Sequence, residues 1–286
     1  MKTIEVQHEP GLASLLVSAI AGSRKKPGIV KKLPPVTLVR REVVLDAGHI
    51  ARYGAICGFD VAQGVPLMYP QMLSFPLVMA YVGSADCPWP ALGTVHLANA
   101  IEQKKALHAG DSVRVELSAG ELFAHEKGQG FTLDLRILRD GELVWQATQS
   151  LLRVGVKEAQ GKPYASHIRA DAPLSHQADL AAPANIGRRY AAISGDRNPI
   201  HLTAVTAKLF GFKRAIAHGM WTKARALSCV LPAYPLEQAS VAVDFKTPLF
   251  LPAGASVWTA RTAGAALFEV RDAKGQKPHL RAYLQY

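Results

Sequence analysis

Part of this chain is written twice, and a duplicated unit constrains the fold more than any other feature a sequence can carry. The segment Tyr53-Gly54-Ala55-Ile56-Cys57-Gly58-Phe59 is echoed by Tyr190-Ala191-Ala192-Ile193-Ser194-Gly195-Asp196. Each copy soon continues as Pro-aliphatic-X, Pro66-Leu67-Met68 and Pro199-Ile200-His201. Downstream, Ala109-Gly110-Asp111-Ser112-Val113 parallels Ala253-Gly254-Ala255-Ser256-Val257. Single matches this short arise by chance, but two collinear ones at comparable offsets argue for duplication. A length of 286 residues suits two modules of ordinary size, each able to bury a core.

Each echo leads into the same plan. Val113, Val115 and Leu117 alternate with polar residues, as do Phe131, Leu133, Leu135 and Ile137 before Asp140-Gly141. This period-two pattern closes on a hairpin turn, with Leu143 to Arg153 returning. The second tail repeats the plan with Val257 to Thr262, Leu267 to Arg271, a turn at Gly275, and His279 to Tyr286. Helical material followed by antiparallel strands, twice over, predicts an α+β chain. The modules are expected at residues 1–160 and 161–286, with the Gly- and Pro-containing stretch from Lys157 to Ser175 as linker.

Composition narrows the function classes. Apolar residues at 49% and charged residues at 19% describe a folded globular chain. Cys57, Cys87 and Cys229 are widely spaced and form no CxxC pair, which suggests neither a disulfide framework nor a zinc site. A reducing, cytoplasmic setting is therefore expected. The apolar run from Leu12 to Ile20 lacks the basic flank of a secretory signal and is too short to span a bilayer, so it reads as a surface-packed helix. The net charge of +11 attracts anions, but the basic residues are scattered around small clusters at 24–26 and 188–189 with no recognition helix, which argues against nucleic acid.

The halves differ where chemistry is possible. Phe59 stands where Asp196 stands and Met68 where His201 stands, so acid/base work at this corner belongs to the second half alone. Ser194-Gly195-Asp196 is expected to end a helix, because Gly is costly inside one and Asn198-Pro199 cannot continue it. Asn198 then caps a new helix with Pro199 at its first position and Gly211 at its end. On one unbroken helix Asp196 and His201 would point about 140° apart. The break lets the carboxylate and imidazole converge on one water, a pair suited to proton exchange near neutral pH. After His218, Gly219 opens an apolar-periodic helix (Met220, Ala224, Leu227, Leu231), whose first N–H and positive dipole end suit a developing oxyanion.

These residues resemble the MaoC-like, (R)-specific enoyl-CoA hydratases, or hydratase 2, of the hotdog superfamily. The family's pattern is Tyr, small residue, Gly-Asp-X-Asn-Pro-hydrophobic-His, then His-Gly-Met. It is met by Tyr190, Ser194, Gly195, Asp196, Asn198, Pro199, Ile200, His201, His218, Gly219 and Met220. The resemblance implies a double hotdog, with antiparallel sheets wrapped around central helices. It implies a water-holding dyad of Asp196 and His201, the Gly219 N–H as oxyanion donor, and hydrogen-bonding support from Asn198. It also implies reversible syn addition of water to a trans-2-enoyl thioester of coenzyme A or acyl carrier protein, giving the (R)-3-hydroxyacyl product. No metal or redox cofactor is expected, since proton transfer and oxyanion stabilisation suffice.

Other candidates have two readings. Ser194 either bonds near the dyad or ends its helix, and His218 reads as shaping the loop beside the substrate in preference to transferring protons. Tyr190 reads as a packing residue whose hydroxyl has a polar partner. Tyr69 to Leu77 resembles the degenerate first module of two-hotdog members, in which Phe59 and Met68 either line an acyl tunnel or pack the core. Phe245 to Pro252 resembles the strand that follows in such domains. Arg188, Arg189, Arg197, Lys208, Lys213 and Arg214 form a solvated basic surface or a grip on substrate phosphates. The competing reading of the whole chain is a catalytically silent acyl-thioester binding or scaffolding protein, which the intact dyad disfavours. Association into a homodimer is left open by a chain that already supplies two modules.

Overall fold

The structure is a computed structural model that describes residues 2–6, 28–91 and 93–286. The apolar run from Leu12 to Ile20 and the basic cluster at 24–26 lie outside them. Among the described residues no helix is long and apolar enough to cross a membrane.

The chain is a double hotdog of α+β class, built as two compact units. The first unit comprises Met1–Val44, Leu73–Ile101 and Asp111–Ser166, and the second Leu45–Met72, Glu102–Gly110 and His167–Tyr286. The units thus differ from the two halves of the sequence, since two segments of the first half pack with the second.

In the first unit the strands are β1 (Lys2–Glu5), β2 (Val36–Val44), β3 (Thr94–Gln103), β4 (Ser112–His125), β5 (Gly128–Arg139), β6 (Glu142–Val154) and the two-residue β7 (Lys162–Pro163). Their order is β1-β2-β4-β5-β6-β3, with β7 beside β4. The alternation is realised: Val113, Val115, Leu117, Phe131, Leu133, Leu135 and Ile137 are all buried. Asp140 and Gly141 take positive φ, 53° and 80°, in a two-residue loop joining the paired Arg139 and Glu142.

The second unit runs the same circuit. Its strands are β8 (Ser175–Ala182), β9 (Ala239–Phe245), β10 (Ala253–Thr262), β11 (Ala265–Asp272) and β12 (Pro278–Gln285), ordered β8-β10-β11-β12-β9. Substituting β2, β4, β5, β6 and β3 reproduces the first unit, so the repeat in sequence is a repeat in topology.

Helices α1 (Ala47–Cys57) and α3 (Ile186–Ser194) are the paired echoes, and both end on a left-handed glycine, Gly58 at φ 78° and Gly195 at φ 77°. The apolar helix α2 (Pro70–Gly83) enters the first unit at Leu73. Helices α4 (Pro199–Leu202), α5 (Ala204–Leu209) and α6 (Gly219–Val230) complete the second. Helix α6 lies against β8, β10 and β11. Its Ala224, Leu227 and Val230 are fully buried, Leu227 alone worth about 2 kcal/mol of transfer free energy. Trp221 donates its indole N–H to the Ile56 carbonyl at 3.0 Å, fixing α1 against α6 within this unit.

Candidate active site

The corner between α3 and α4 is shaped by side chains that fold back on the backbone. After Gly195 leaves the helix, Ser194 Oγ accepts the Asp196 N–H at 3.2 Å and Asp196 Oδ1 accepts the Asn198 N–H at 3.1 Å. Asn198 Oδ1 accepts the Ile200 N–H at 3.3 Å, capping α4 with Pro199 at its start. Ser194 therefore serves the helix end, and Asn198 is a cap.

The helix from Pro199 does not run to Gly211. It stops at Leu202 because Thr203 is extended (φ −146°, ψ 160°) and caps a separate α5 through a reciprocal Thr203–Thr206 capping box. Thr206 Oγ1 also lies 2.6 Å from the Pro199 carbonyl, so that hydroxyl joins the two short helices. In sequence this is a Thr-x-x-Thr, a weaker capping signal than one ending in Glu or Gln.

His201 is 8% exposed on α4, and its Nδ1 lies 2.8 Å from the Ile216 carbonyl oxygen. A carbonyl only accepts, so Nδ1 carries the proton and Nε2 keeps a lone pair. Ile216 is itself bracketed. Its N–H donates to Ile200, Ala217 donates to Leu249 at 2.8 Å, and Leu251 donates to Ala215 at 2.8 Å. The stretch expected as a strand at Phe245 to Pro252 is this bracket, for β9 ends at Phe245 and only Phe250 bridges, to Ile216. Pro248 and Pro252 carry no N–H for a ladder, which explains the difference.

His218, 3% exposed, lies with Nε2 3.0 Å from the Asp196 main-chain oxygen. Its ring stacks on His201 with centroids 3.8 Å apart and planes 28° from parallel. Burial, then the neighbouring His201, pulls its pKa down to about 4. At neutral pH it is uncharged, so its 3.7 Å approach to Asp196 Oδ2 is a polar contact and not an ion pair. Burial also lowers the pKa of His201, against the raising effect of Asp196.

Asp196, His201 and His218 bring ligand-type atoms within 4.8 Å of one another. The set is poorly suited to chelation. His201 Nδ1 and His218 Nε2 face backbone carbonyls, and stacked rings aim their remaining lone pairs in nearly parallel planes. A carboxylate close to the His201 ring, whose Nε2 keeps a lone pair, makes a pair suited to accepting hydrogen bonds from one water.

Gly219 is the first residue of α6, where a backbone N–H has no partner within the helix. A Cβ there would meet Phe245 Cε1 at 2.8 Å. A second close approach lies outside the motif. Gly187 on α3 passes so near α4 that a Cβ would overlap the His201 carbonyl oxygen. His49 on α1 reaches the same corner from far along the chain. Its Nε2 lies 2.9 Å from the Ile193 carbonyl, which requires Nε2–H to donate, so Tyr69 Oη donates to Nδ1 at 2.9 Å. The end of α3 is thereby tethered. Lys223, fully buried on α6, donates to the Val241 carbonyl at 3.3 Å, and burial holds its pKa well below the ordinary value.

The remaining candidates pack. Tyr190 is buried with its hydroxyl 3.7 Å from Met72 Sδ, a weak polar partner. Met68 is fully buried, and Phe59 is half-buried and stacked on Tyr53 at 6.1 Å. Phe59 also lines a cleft of about 460 Å³ with Leu67, Leu107, Ser228 and Leu236. Neither Met68 nor Asp196, His201 or Gly219 lines that cleft.

Residues 166–280 match the model of the MaoC like domain. The chain is 33% identical over 273 residues, 95% of its length and 96% of the relative's, to 3-hydroxyacyl-thioester dehydratase X of Mycobacterium tuberculosis. The crystal structure of HtdX from that organism superposes with TM-score 0.75 at 32% identity, covering 87% of this chain and 98% of that one. A MaoC-like dehydratase from Phytophthora capsici matches with TM-score 0.74 over 89% of this chain and 95% of that one, and at 17% identity it speaks for the fold alone.

Proposed function

The chain belongs to the MaoC-like dehydratase family, and from that premise we propose that it reversibly hydrates trans-2-enoyl thioesters to (R)-3-hydroxyacyl thioesters with Asp196 and His201 as its dyad. The observation that carries this reading is the convergence of a carboxylate and a neutral, Nε2-free imidazole across a broken helix. A water donates its hydrogens to that pair. As its oxygen bonds to Cβ, one proton passes to the dyad, the double-bond electrons move toward the thioester carbonyl, and the Gly219 N–H meets the negative charge there. The dyad then returns one proton to Cα, so water is added and the groups end as they began. Both transfers come from one side of the substrate, which makes the addition syn. Coenzyme A and acyl carrier protein both carry thioesters of the required kind. The catalytic role is assigned to residues 161–286, and residues 1–160, two segments of which pack in the same unit as the dyad, supply no proton-transfer group.

The test is the enoyl absorbance of crotonyl-CoA on mixing with the protein. Decay to an equilibrium, with chiral analysis giving the (R)-3-hydroxy product, is expected. A tight complex without decay, or release of free thiol, overturns the reading.

A further inference from the structure

Arg197 follows Asp196 directly, and Lys213 and Arg214 stand just before the segment whose Ile216 carbonyl holds His201. Between Leu180 and Leu236 the only acidic residue is Asp196, against Arg188, Arg189, Arg197, Lys208, Lys213 and Arg214 on the surface. Among the described residues these six enter no ion pair, although elsewhere basic side chains commonly pair with carboxylates. Arg214 instead lies over the Phe250 ring at 6.0 Å. Within this basic field α5 exposes apolar side chains: Val205 is 73% and Leu209 79% exposed, and Phe210 36%. Isolated exposed apolar residues need no explanation, but two consecutive-turn neighbours and the next residue, rimmed by unpaired cations beside the dyad's own segments, form a small patch of interface character.

We propose that α5 and its basic rim are a docking surface for a small acidic protein that delivers the acyl thioester to Asp196 and His201. The inference rests on the proposed function for the identity of the cargo. Charge selects the occupant: cations that no carboxylate of the described residues neutralises are complementary to an acidic surface, and the apolar centre supplies the contact that charge alone does not. A second copy of this chain is a poor occupant, since each copy carries +11. Coenzyme A phosphates would engage the cations but leave Val205 and Leu209 with nothing to cover them.

The experiment compares kcat/KM for crotonyl-CoA, for crotonyl-pantetheine, which lacks phosphates, and for an acidic acyl carrier protein charged with a crotonyl group. With the charged carrier, Val205→Ser and Leu209→Ser each lower kcat/KM about 5- to 30-fold, mainly through KM. The paired charge reversal Lys208→Glu with Lys213→Glu lowers it further and flattens its salt dependence. Turnover of crotonyl-pantetheine stays within about twofold in all of these variants, the range of a surface change remote from chemistry. Equal effects on carrier and pantetheine substrates, or no effect on either, overturn the docking surface. So does loss of binding to vesicles of anionic phospholipid with carrier turnover intact, which would assign the patch to a lipid surface. If no thioester is hydrated, the functional reading fails on its own. Calorimetric binding of the charged carrier to the unmutated chain and to Leu209→Ser still decides docking in that case.

Discussion

The corners Tyr53–Met68 and Tyr190–His201 use one backbone device for two purposes. Both helices stop on a left-handed glycine with nearly the same φ, 78° and 77°, and both chains resume at a Pro-aliphatic pair. Beyond the glycine they diverge. In the first corner eight residues, 60–67, separate the paired sites Phe59 and Met68, and they include a 3-10 turn at Val61–Gln63. In the second, four residues, 197–200, separate Asp196 from His201, in a tight turn made by the Asp196 and Asn198 side chains. The shorter connection brings polar atoms together, whereas the longer one ends on Met68, which is fully buried. A stable corner is thus separable from a reactive one, and the difference lies in the filling.

Removing the polar filling should have the largest effect. Asp196→Asn and His201→Ala are each expected to lower kcat by three or more orders of magnitude, about the scale of losing a positioned proton-transfer group. Far-ultraviolet circular dichroism should remain unchanged. Near-normal turnover of crotonyl-CoA by either variant would remove the distinction between the corners.

Gly219→Ala comes next. The added Cβ presses on Phe245 Cε1 at 2.8 Å, so the helix start or the ring must shift and the N–H is displaced. A fall in kcat of about 10- to 100-fold at similar KM is expected, below the full loss of an oxyanion donor. Phe245→Leu in the same chain should recover part of it. An unaltered rate in Gly219→Ala would mean that this amide does not receive charge.

Gly187→Ala probes how the reactive corner is held. Its Cβ would overlap the His201 carbonyl, so α3 and α4 must separate, costing about 1–3 kcal/mol in a urea melt as other overpacked sites do. Because His201 rides on α4, kcat should fall with stability. A stability loss that leaves kcat untouched would show that α4 tolerates displacement.

How much of this was legible beforehand follows from the kind of interaction involved. The circuit of strands was readable because alternation and an Asp-Gly turn are local signals, and Val113 through Ile137 behave as those signals dictate. The break before Pro199 was readable for the same reason. The Thr203 interruption was not, because Thr206 also reaches back to Pro199 and that tie exists only once the turn has formed. His49, Gly187 and the bracket at Leu249 and Leu251 act across sequence separations that no periodicity encodes. Burial of Lys223 ran against composition altogether.

The smallest expected effect concerns pH, and it again separates the corners, since only the second buries histidines in contact. His201 and His218 are buried, and burial depresses both pKa values, His218 from 6.5 to about 4. A histidine neutral in the native state but protonated when unfolded makes the unfolded chain bind more protons. Stability therefore falls as pH drops below 6.5, and for His218 the loss levels off near pH 4 after roughly 3 kcal/mol. Replacing His218 by Gln keeps a side-chain N–H for the Asp196 carbonyl and deletes the titration. The unfolding free energy of His218→Gln from urea melts should then change less between pH 7 and about pH 5 than that of the unmutated chain, by roughly 1–2 kcal/mol. Equal pH slopes for the two proteins would mean that His218 takes up its proton without leaving the stack on His201.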